Sequence, residues 1–392
     1  MIKVPGFLGS GISSGIKKNG KKDLGLIFSK VPAKVSGFFT TNVVKAAPVL
    51  LGMERIKSGL CQAIIVNSGN ANACTGKIGL RVAAATTRFV AQELKIHESR
   101  VVPSSTGVIG MPPPLEKIEK AIPRLVSELR EDGFLDTAEA IMTTDKFSKY
   151  AVAQMKVDGR LGTICALGKG AGMIAPNMAT MLCFILTDIN LNAKAQKKAL
   201  KNATDDSFNR IIVDGDMSTN DTVLMLSNGA LGNSPIEDGD KNYRTFEKIL
   251  TQLTTEIAEM IVRDGEGATK VVRIIVKGTR NEKNAEKIAR TLGSSLLVKT
   301  ALYGEDANWG RVLAAAGRAG VEFDPLKVDL YFGDYKVVRN GIEIMDEDKV
   351  NHILKKPSFT ITLDLKGGKF SYFVIASDIT MDYLRLNAQY RT

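Results

Sequence analysis

The run Ala63-Ile64-Ile65-Val66, then Asn67-Ser68-Gly69-Asn70-Ala71-Asn72, then Val82, Ala85, Phe89, Val90 and Leu94 at helical spacing, reads as buried strand, small polar loop and helix. The same alternation recurs outward from it. Leu115, Ile118 and Ile122 predict a helix interrupted at Pro123, which lacks a backbone donor. Another helix is expected over residues 191–200, with Asn192 as its cap. The clearest amphipathic pattern carries Phe246, Ile249, Leu250, Leu253, Ile257, Met260 and Ile261, and ends near Asp264-Gly265. Val271-Val272-Arg273-Ile274-Ile275-Val276 follows as a strand. The last third is richer in β signals. Residues 328–338 alternate about Gly333-Asp334, a hairpin pattern. Thr360-Ile361-Thr362-Leu363-Asp364-Leu365 and Tyr372-Phe373-Val374-Ile375 flank Gly367-Gly368, which predicts a second hairpin. The class is therefore α/β or α+β, with no linker to mark a domain boundary.

A chain of 392 residues can bury a large core, as two domains or one layered one. The net charge of +11 fits an anionic small substrate, a basic surface or nucleic acid. Aromatic residues make up only 6%, and no basic run is interleaved with them, which argues against nucleic acid. The densest basic run, Lys17-Lys18-Asn19-Gly20-Lys21-Lys22, reads as a solvated turn. Cys61, Cys74, Cys165 and Cys183 stand apart, so neither a zinc site nor a disulfide framework is expected. His97 and His352, the two histidines, both sit in charged stretches and read as surface residues. No metal and no histidine-based triad is expected. The N-terminal residues lack an apolar signal core and no apolar run is long enough to span a membrane, so a cytoplasmic protein is expected.

Two glycine-rich patches fail as phosphate or dinucleotide loops. Met173 stands where the third glycine of a dinucleotide fingerprint belongs, and the stretch from Gly293 to Thr300 lacks the glycine before its lysine. More telling is Lys169-Gly170-Ala171-Gly172-Met173-Ile174-Ala175-Pro176-Asn177-Met178-Ala179-Thr180, which runs into the apolar Met181-Leu182-Cys183-Phe184. A constrained loop ending at a threonine suits self-cleavage. The Thr180 hydroxyl attacks the Ala179 carbonyl, and the freed Thr180 amine then serves as base for its own hydroxyl, so no histidine is needed. The competing description is a turn before a buried strand. In Ser104-Ser105-Thr106-Gly107-Val108-Ile109-Gly110, a Thr hydroxyl beside a glycine N–H can form an oxyanion hole, or the segment is a polar turn. In Arg263-Asp264-Gly265-Glu266-Gly267-Ala268-Thr269-Lys270, Glu266 can receive a substrate ammonium, or the segment simply ends a helix.

Several of these segments, in order along nearly the whole chain, make it similar to the glutamate N-acetyltransferase, or ornithine acetyltransferase, family of arginine biosynthesis. They include Thr40-Thr41-Asn42, residues 67–76, Ser105-Thr106-Gly107-Val108-Ile109-Gly110, Met142-Thr143-Thr144-Asp145, residues 169–180, Asp221-Thr222, residues 264–270, residues 303–311 and the closing Asn387-Ala388-Gln389-Tyr390-Arg391-Thr392. The resemblance implies a layered sandwich of mixed sheets and helices with a smaller β-rich C-terminal part. It implies cleavage between Ala179 and Thr180 into an α chain of residues 1–179 and a β chain of residues 180–392. Thr180 is then the nucleophile that carries acetyl from N-acetylornithine to glutamate, with Thr106 and Gly107 as the oxyanion hole. Substrate contacts fall to Thr143, Lys169, Thr180, Glu266, Asn387 and Thr392, with Thr144 the alternative to Thr143. No cofactor is implied, although acetyl-coenzyme A serves some members as a second donor. The expected assembly is a dimer of αβ units with no nucleic-acid or membrane partner. Two other functions stay open on the residues alone: a self-processing amidohydrolase or aminopeptidase with water as acceptor, and a basic binding protein.

Overall fold

The computed structural model of the chain describes residues 2–175 and 181–389. Eight strands form one mixed sheet in the order Val101–Val108, Leu60–Asn70, Leu24–Phe39, Thr222–Ser227, Leu182–Thr187, Arg160–Lys169 and Lys149–Val157, with Phe7–Ile12 also paired to Leu24–Phe39. The long strand Leu24–Phe39 joins the sheet's two halves. Its first part pairs with Phe7–Ile12 and its last part with Thr222–Ser227, and the register slips between Phe28 and Ala33, where Pro32 interrupts the ladder.

Side-chain alternation shows how the halves stack. Along Leu182–Thr187, Leu182, Phe184 and Leu186 enter a central core with Ile27, Ile64, Val66 and Val102, whereas Cys183 and Ile185 enter a second core under Lys241–Arg263 and Ala193–Asp206. On the opposite half, Leu24, Leu26, Ala63 and Ile65 pack under helices Gly76–Leu94 and Leu115–Ser127. The order is helix, sheet, sheet, helix, and period-two alternation lets each strand serve two cores at once. Such strands are apolar on both faces, which is why Leu182–Thr187 is buried throughout.

A second sheet runs Ile342–Glu343, Tyr335–Arg339, Asp329–Phe332, Ser358–Asp364, Val271–Thr279, Phe370–Ser377 and Ile211–Ile212. Its own core packs against Glu282–Gly293 and Trp309–Gly317. The short strand Ile211–Ile212 belongs to this sheet although it precedes the rest of it by about sixty residues. The next residue, Val213, donates its N–H to the Ile174 carbonyl at 2.9 Å, which ties the second sheet to the segment before the proposed cleavage point. The layered α/β class with a smaller β-rich C-terminal part is therefore observed.

Four local expectations need correction. The strands flanking Gly367-Gly368 are not a hairpin: Val271–Thr279 lies between them, parallel to Ser358–Asp364 and antiparallel to Phe370–Ser377. The glycines carry the chain over the end of that central strand, and a Cβ at Gly368 would fall 2.2 Å from the Thr279 carbonyl oxygen. Pro123 does not interrupt its helix, which runs Leu115–Ser127; Pro123 and Glu119 are exposed, so water can take the carbonyl that loses its donor. The strand beginning at Leu60 continues to Asn70, so Asn67-Ser68-Gly69-Asn70 is ladder rather than loop. Within the basic run, Lys17 and Lys22 are not solvated as the rest is: Lys22 is half-buried and its Nζ pairs with Asp136 and Glu139. Lys17 Nζ donates to the carbonyls of Lys22 and Met142, and burial pulls its pKa down to about 8 against the opposing charge of Asp23. The remaining small expectations hold: Asn192 accepts from Lys194 N–H as the cap of Ala193–Asp206, and Asp329–Phe332 pairs with Tyr335–Arg339. His97 and His352 are exposed, and Cys183 is core.

Candidate active site

The site opens at the mouth of the central layer. Cys165 and Leu167 point into that layer, so Lys169, two residues on at the strand's end, points the same way. Thr106 follows Val102 by the same parity on the facing sheet half. Two strand ends thus meet across one cavity of about 410 Å³, lined among others by Thr106, Gly107, Thr143, Thr144, Lys169 and Glu266. Gly107 sits at φ +131°, and a Cβ there would come within 2.4 Å of the Gly69 carbonyl carbon, so only glycine fits where these strands touch.

Lys169 is the buried cation of the cavity. Its Nζ lies 2.8 Å from Thr143 Oγ1, 3.1 Å from Thr106 Oγ1 and 3.9 Å from Asp145 Oδ2. Burial pulls its ammonium below the ordinary lysine range, with Asp145 opposing. Asp145, fully buried, accepts from Thr143 N–H at 2.9 Å, Gly170 N–H at 2.8 Å and Lys149 Nζ at 2.7 Å. Burial pushes this carboxyl up, but Lys169 and Lys149 together hold it well below the usual carboxylate range. Lys149 bridges on to Asp264 Oδ2 at 2.5 Å and lies 4.8 Å from the Phe147 ring centre.

Glu266 lines the same cavity. Its backbone N–H donates to Ala171 O at 2.8 Å, and a Cβ at Gly172 would lie 2.5 Å from its carboxyl carbon, so Gly172 makes the room it occupies. Asn387, on the C-terminal helix Met381–Gln389, donates from Nδ2 to Glu266 Oε2 at 2.9 Å. The tail therefore folds back over the site. Tyr383 of the same helix lines the cavity, and burial raises its phenol to about 12.

Thr106, Gly107, Thr143, Lys169, Glu266 and Asn387, singled out from sequence, are brought together. Thr143 and Thr144 both line the cavity, but Thr143 carries the hydroxyl bonded to Lys169. Ala179, Thr180 and Thr392 lie outside the described residues. The described residues on either side of Ala179 and Thr180 are held: Asp214 accepts from Met173 N–H at 2.6 Å and Ile174 N–H at 2.8 Å, and Asp221 accepts from Met181 N–H at 3.0 Å. Burial raises both carboxyls, Asp221 well above the ordinary range. Sequence reasoning assigned no role to Asp145, Lys149, Asp214, Asp264 or the Ser218-Thr219-Asn220 rim. For Lys149 a signal existed: it shares the parity of the inward-facing Ala151, Met155 and Val157.

A four-layer α/β sandwich whose cavity is lined by a buried ammonium, two threonine hydroxyls and a carboxylate is the architecture of an enzyme that acts on a small molecule. The chain belongs to the ArgJ family, whose model matches residues 9–392. It is 47% identical over 390 residues to the arginine biosynthesis bifunctional protein ArgJ of Symbiobacterium thermophilum, covering 99% of this chain and 97% of that one. To the ArgJ of Geobacter sulfurreducens it is 46% identical over 393 residues, covering the whole of both. The crystal structure of the Bacillus halodurans ArgJ superposes with a TM-score of 0.52 at 36% identity, over 54% of this chain and all of that one.

Proposed function

We infer that the chain is a self-processing glutamate N-acetyltransferase of arginine biosynthesis that moves acetyl from N-acetylornithine to glutamate. The observation that carries this reading is the cavity itself, lined by an ammonium flanked by two threonine hydroxyls and by the Glu266 carboxylate. In self-cleavage the Thr180 hydroxyl attacks the Ala179 carbonyl, the peptide shifts to an ester that frees the Thr180 amine, and water then splits the ester into the Ala179 carboxylate and the Thr180 hydroxyl. In transfer that amine takes the Thr180 hydroxyl proton as Oγ attacks the acetyl carbonyl. The C–N bond breaks, ornithine leaves with the proton on its α-amine, and acetyl-Thr180 remains. The amine of glutamate attacks this ester, giving N-acetylglutamate and free Thr180. Thr106 and Gly107 supply the donors for the oxyanion of each step.

Intact mass after incubation with N-acetylornithine tests the whole sequence. An added acetyl group on a fragment beginning at Thr180 is expected; an unmodified fragment, or a single intact chain in active protein, overturns it. Acetyl-coenzyme A as a second donor fits the word bifunctional in the relatives' names and is tested by the same measurement with that donor. The proposed assembly is a dimer of αβ units, read by light scattering.

Glu266 is the proposed partner of the ornithine side-chain ammonium. Glu266→Gln keeps the shape and removes the charge, at a cost of about 1.5–3 kcal/mol for a charge-assisted contact. The KM for N-acetylornithine is expected to rise about ten- to a hundredfold, whereas that for glutamate, which brings a carboxylate instead, stays or falls. Equal rises for both substrates would remove Glu266 from this role.

A further inference from the structure

The basic run near the N-terminus carries one lysine whose ammonium the reaction above does not use. Lys17 follows the strand Phe7–Ile12, and Asp23 fixes the turn that presents it. The buried Asp23 carboxylate accepts from Ser14 N–H at 2.6 Å, Ser14 Oγ at 2.7 Å and Lys17 N–H at 2.8 Å. The Asp23 carbonyl takes Ser68 N–H at 2.9 Å, which ties the turn to the strand Leu60–Asn70. From there the lysine stem crosses Gly69, where an added Cβ would lie 3.1 Å from Lys17 Cγ. Gly69 is the register partner of Gly107, so the stem lies against the strand that backs the proposed oxyanion glycine. Its ammonium ends on two carbonyls, Lys22 O at 2.8 Å and Met142 O at 2.7 Å.

Met142 O belongs to the same peptide as Thr143 N–H, and that N–H donates to Asp145 Oδ2 at 2.9 Å. The peptide is thus clamped from both sides, by a cation on its oxygen and a carboxylate on its nitrogen, each a charge-assisted bond. Thr143 starts from this clamp, and its hydroxyl meets Lys169 Nζ at 2.8 Å in the cavity. Residues 142–148 belong to no helix or strand, so side-chain bonds rather than a ladder set where that hydroxyl stands.

We propose that Lys17 is a positioning residue for substrate binding: by holding the Met142 carbonyl it keeps the Thr143 hydroxyl beside the Lys169 ammonium, ready for the substrate. A contact group that is already in place costs the ligand no ordering when it binds. The carboxylate that N-acetylornithine and glutamate have in common is the partner that a cation beside a hydroxyl fits. Loss of Lys17 is therefore felt by both substrates, unlike loss of the Glu266 charge. The proposal rests on the transferase reading above and adds to it a residue that acts from behind the cavity wall.

The test is a double-mutant cycle of Lys17→Met and Thr143→Val, with kcat and KM measured for both substrates. Residues that act through one another are coupled, by an amount that makes a tenfold effect about the middle of the range. Lys17→Met is expected to raise both KM values about tenfold and to leave kcat within about threefold. Thr143→Val raises them too, and adding Lys17→Met to it raises them by less than about threefold more. A rise below about threefold with Lys17→Met, a rise for one substrate alone, or losses that multiply in the double variant would each overturn the proposal. A role in folding alone lowers the thermal midpoint and leaves KM where it was, which overturns it as well. Should Lys17→Met fail to fold, Lys17→Gln, which keeps a neutral donor on a shorter stem, enters the same cycle. A rise of at least threefold in both KM values, absent in the Thr143→Val background, is then expected, and the outcomes that overturn the proposal are unchanged. Failure of the transferase reading looks different: the wild-type chain itself then shows no acetylated Thr180.

Discussion

A Thr180→Ala chain is expected to migrate as one intact polypeptide on a denaturing gel and to lose acetyl transfer altogether. Without Oγ there is neither an attacking atom for the Ala179 carbonyl nor one to carry acetyl, and without cleavage there is no free amine to act as base. Removing a nucleophile that works as part of a unit costs on the order of 10⁶ in kcat, which would put the residual rate below detection. The hydrogen bonds of the flanking residues confine the effect to the site. Ile174 O accepts from Val213 N–H, Met173 and Ile174 donate to Asp214, and Met181 donates to Asp221, none of which involves residue 180. Thr180→Ser retains a hydroxyl and should show both reactions at reduced rate. Transfer retained by the Ala variant would place the nucleophile elsewhere, and fragments appearing from it would detach cleavage from Thr180.

Much of the fold was legible because its signals are local. The helix Lys241–Arg263 shows an apolar stripe, and Asn192 caps its helix as a side chain of that type does at that place. The hairpin at Gly333-Asp334 is set by a turn and two adjacent strands. The Gly367-Gly368 signal is identical in kind, yet a strand from ninety residues earlier, Val271–Thr279, fills the gap between its arms. Nothing near those glycines encodes that insertion. Pro123 likewise keeps its place because Glu119 happens to face water, a property of the packed helix. For the site, Thr106, Lys169 and Glu266 could be marked by unusual local chemistry. The tie joins Asp145 and Lys149 to Asp264, more than a hundred residues on; the strand parity of Lys149 marks it as inward-facing, but nothing local names the distant carboxylate that meets it.

That tie makes Lys149 the position where one substitution should cost the most stability. Its ammonium, like both partner carboxylates, is fully buried. Lys149→Met preserves most of the volume but leaves Asp145 and Asp264 facing each other in a dry environment, and breaking such a pair costs about 3–5 kcal/mol. A lowered thermal midpoint, with the folded state retained by circular dichroism, is the expected result. Burial already raises the Asp264 carboxyl, against the pull of Lys149, whereas Asp145 keeps a second cation in Lys169 and is held low. Asp264 is therefore the group that should take up a proton once Lys149 is gone. The sign follows from linkage: in Lys149→Met, Asp264 has a folded-state pKa above its unfolded one, so the variant should gain stability as pH falls toward 5. The wild type has no such gain from Asp145, whose depressed pKa contributes stability above the ordinary carboxylate range that is lost as pH falls through and below it. Adding Asp264→Asn to Lys149→Met removes the charge in question, and should restore part of the midpoint and abolish its rise at low pH. If the double variant is less stable than Lys149→Met alone, the cost lies in lost packing around the Phe147 ring, not in the stranded charge.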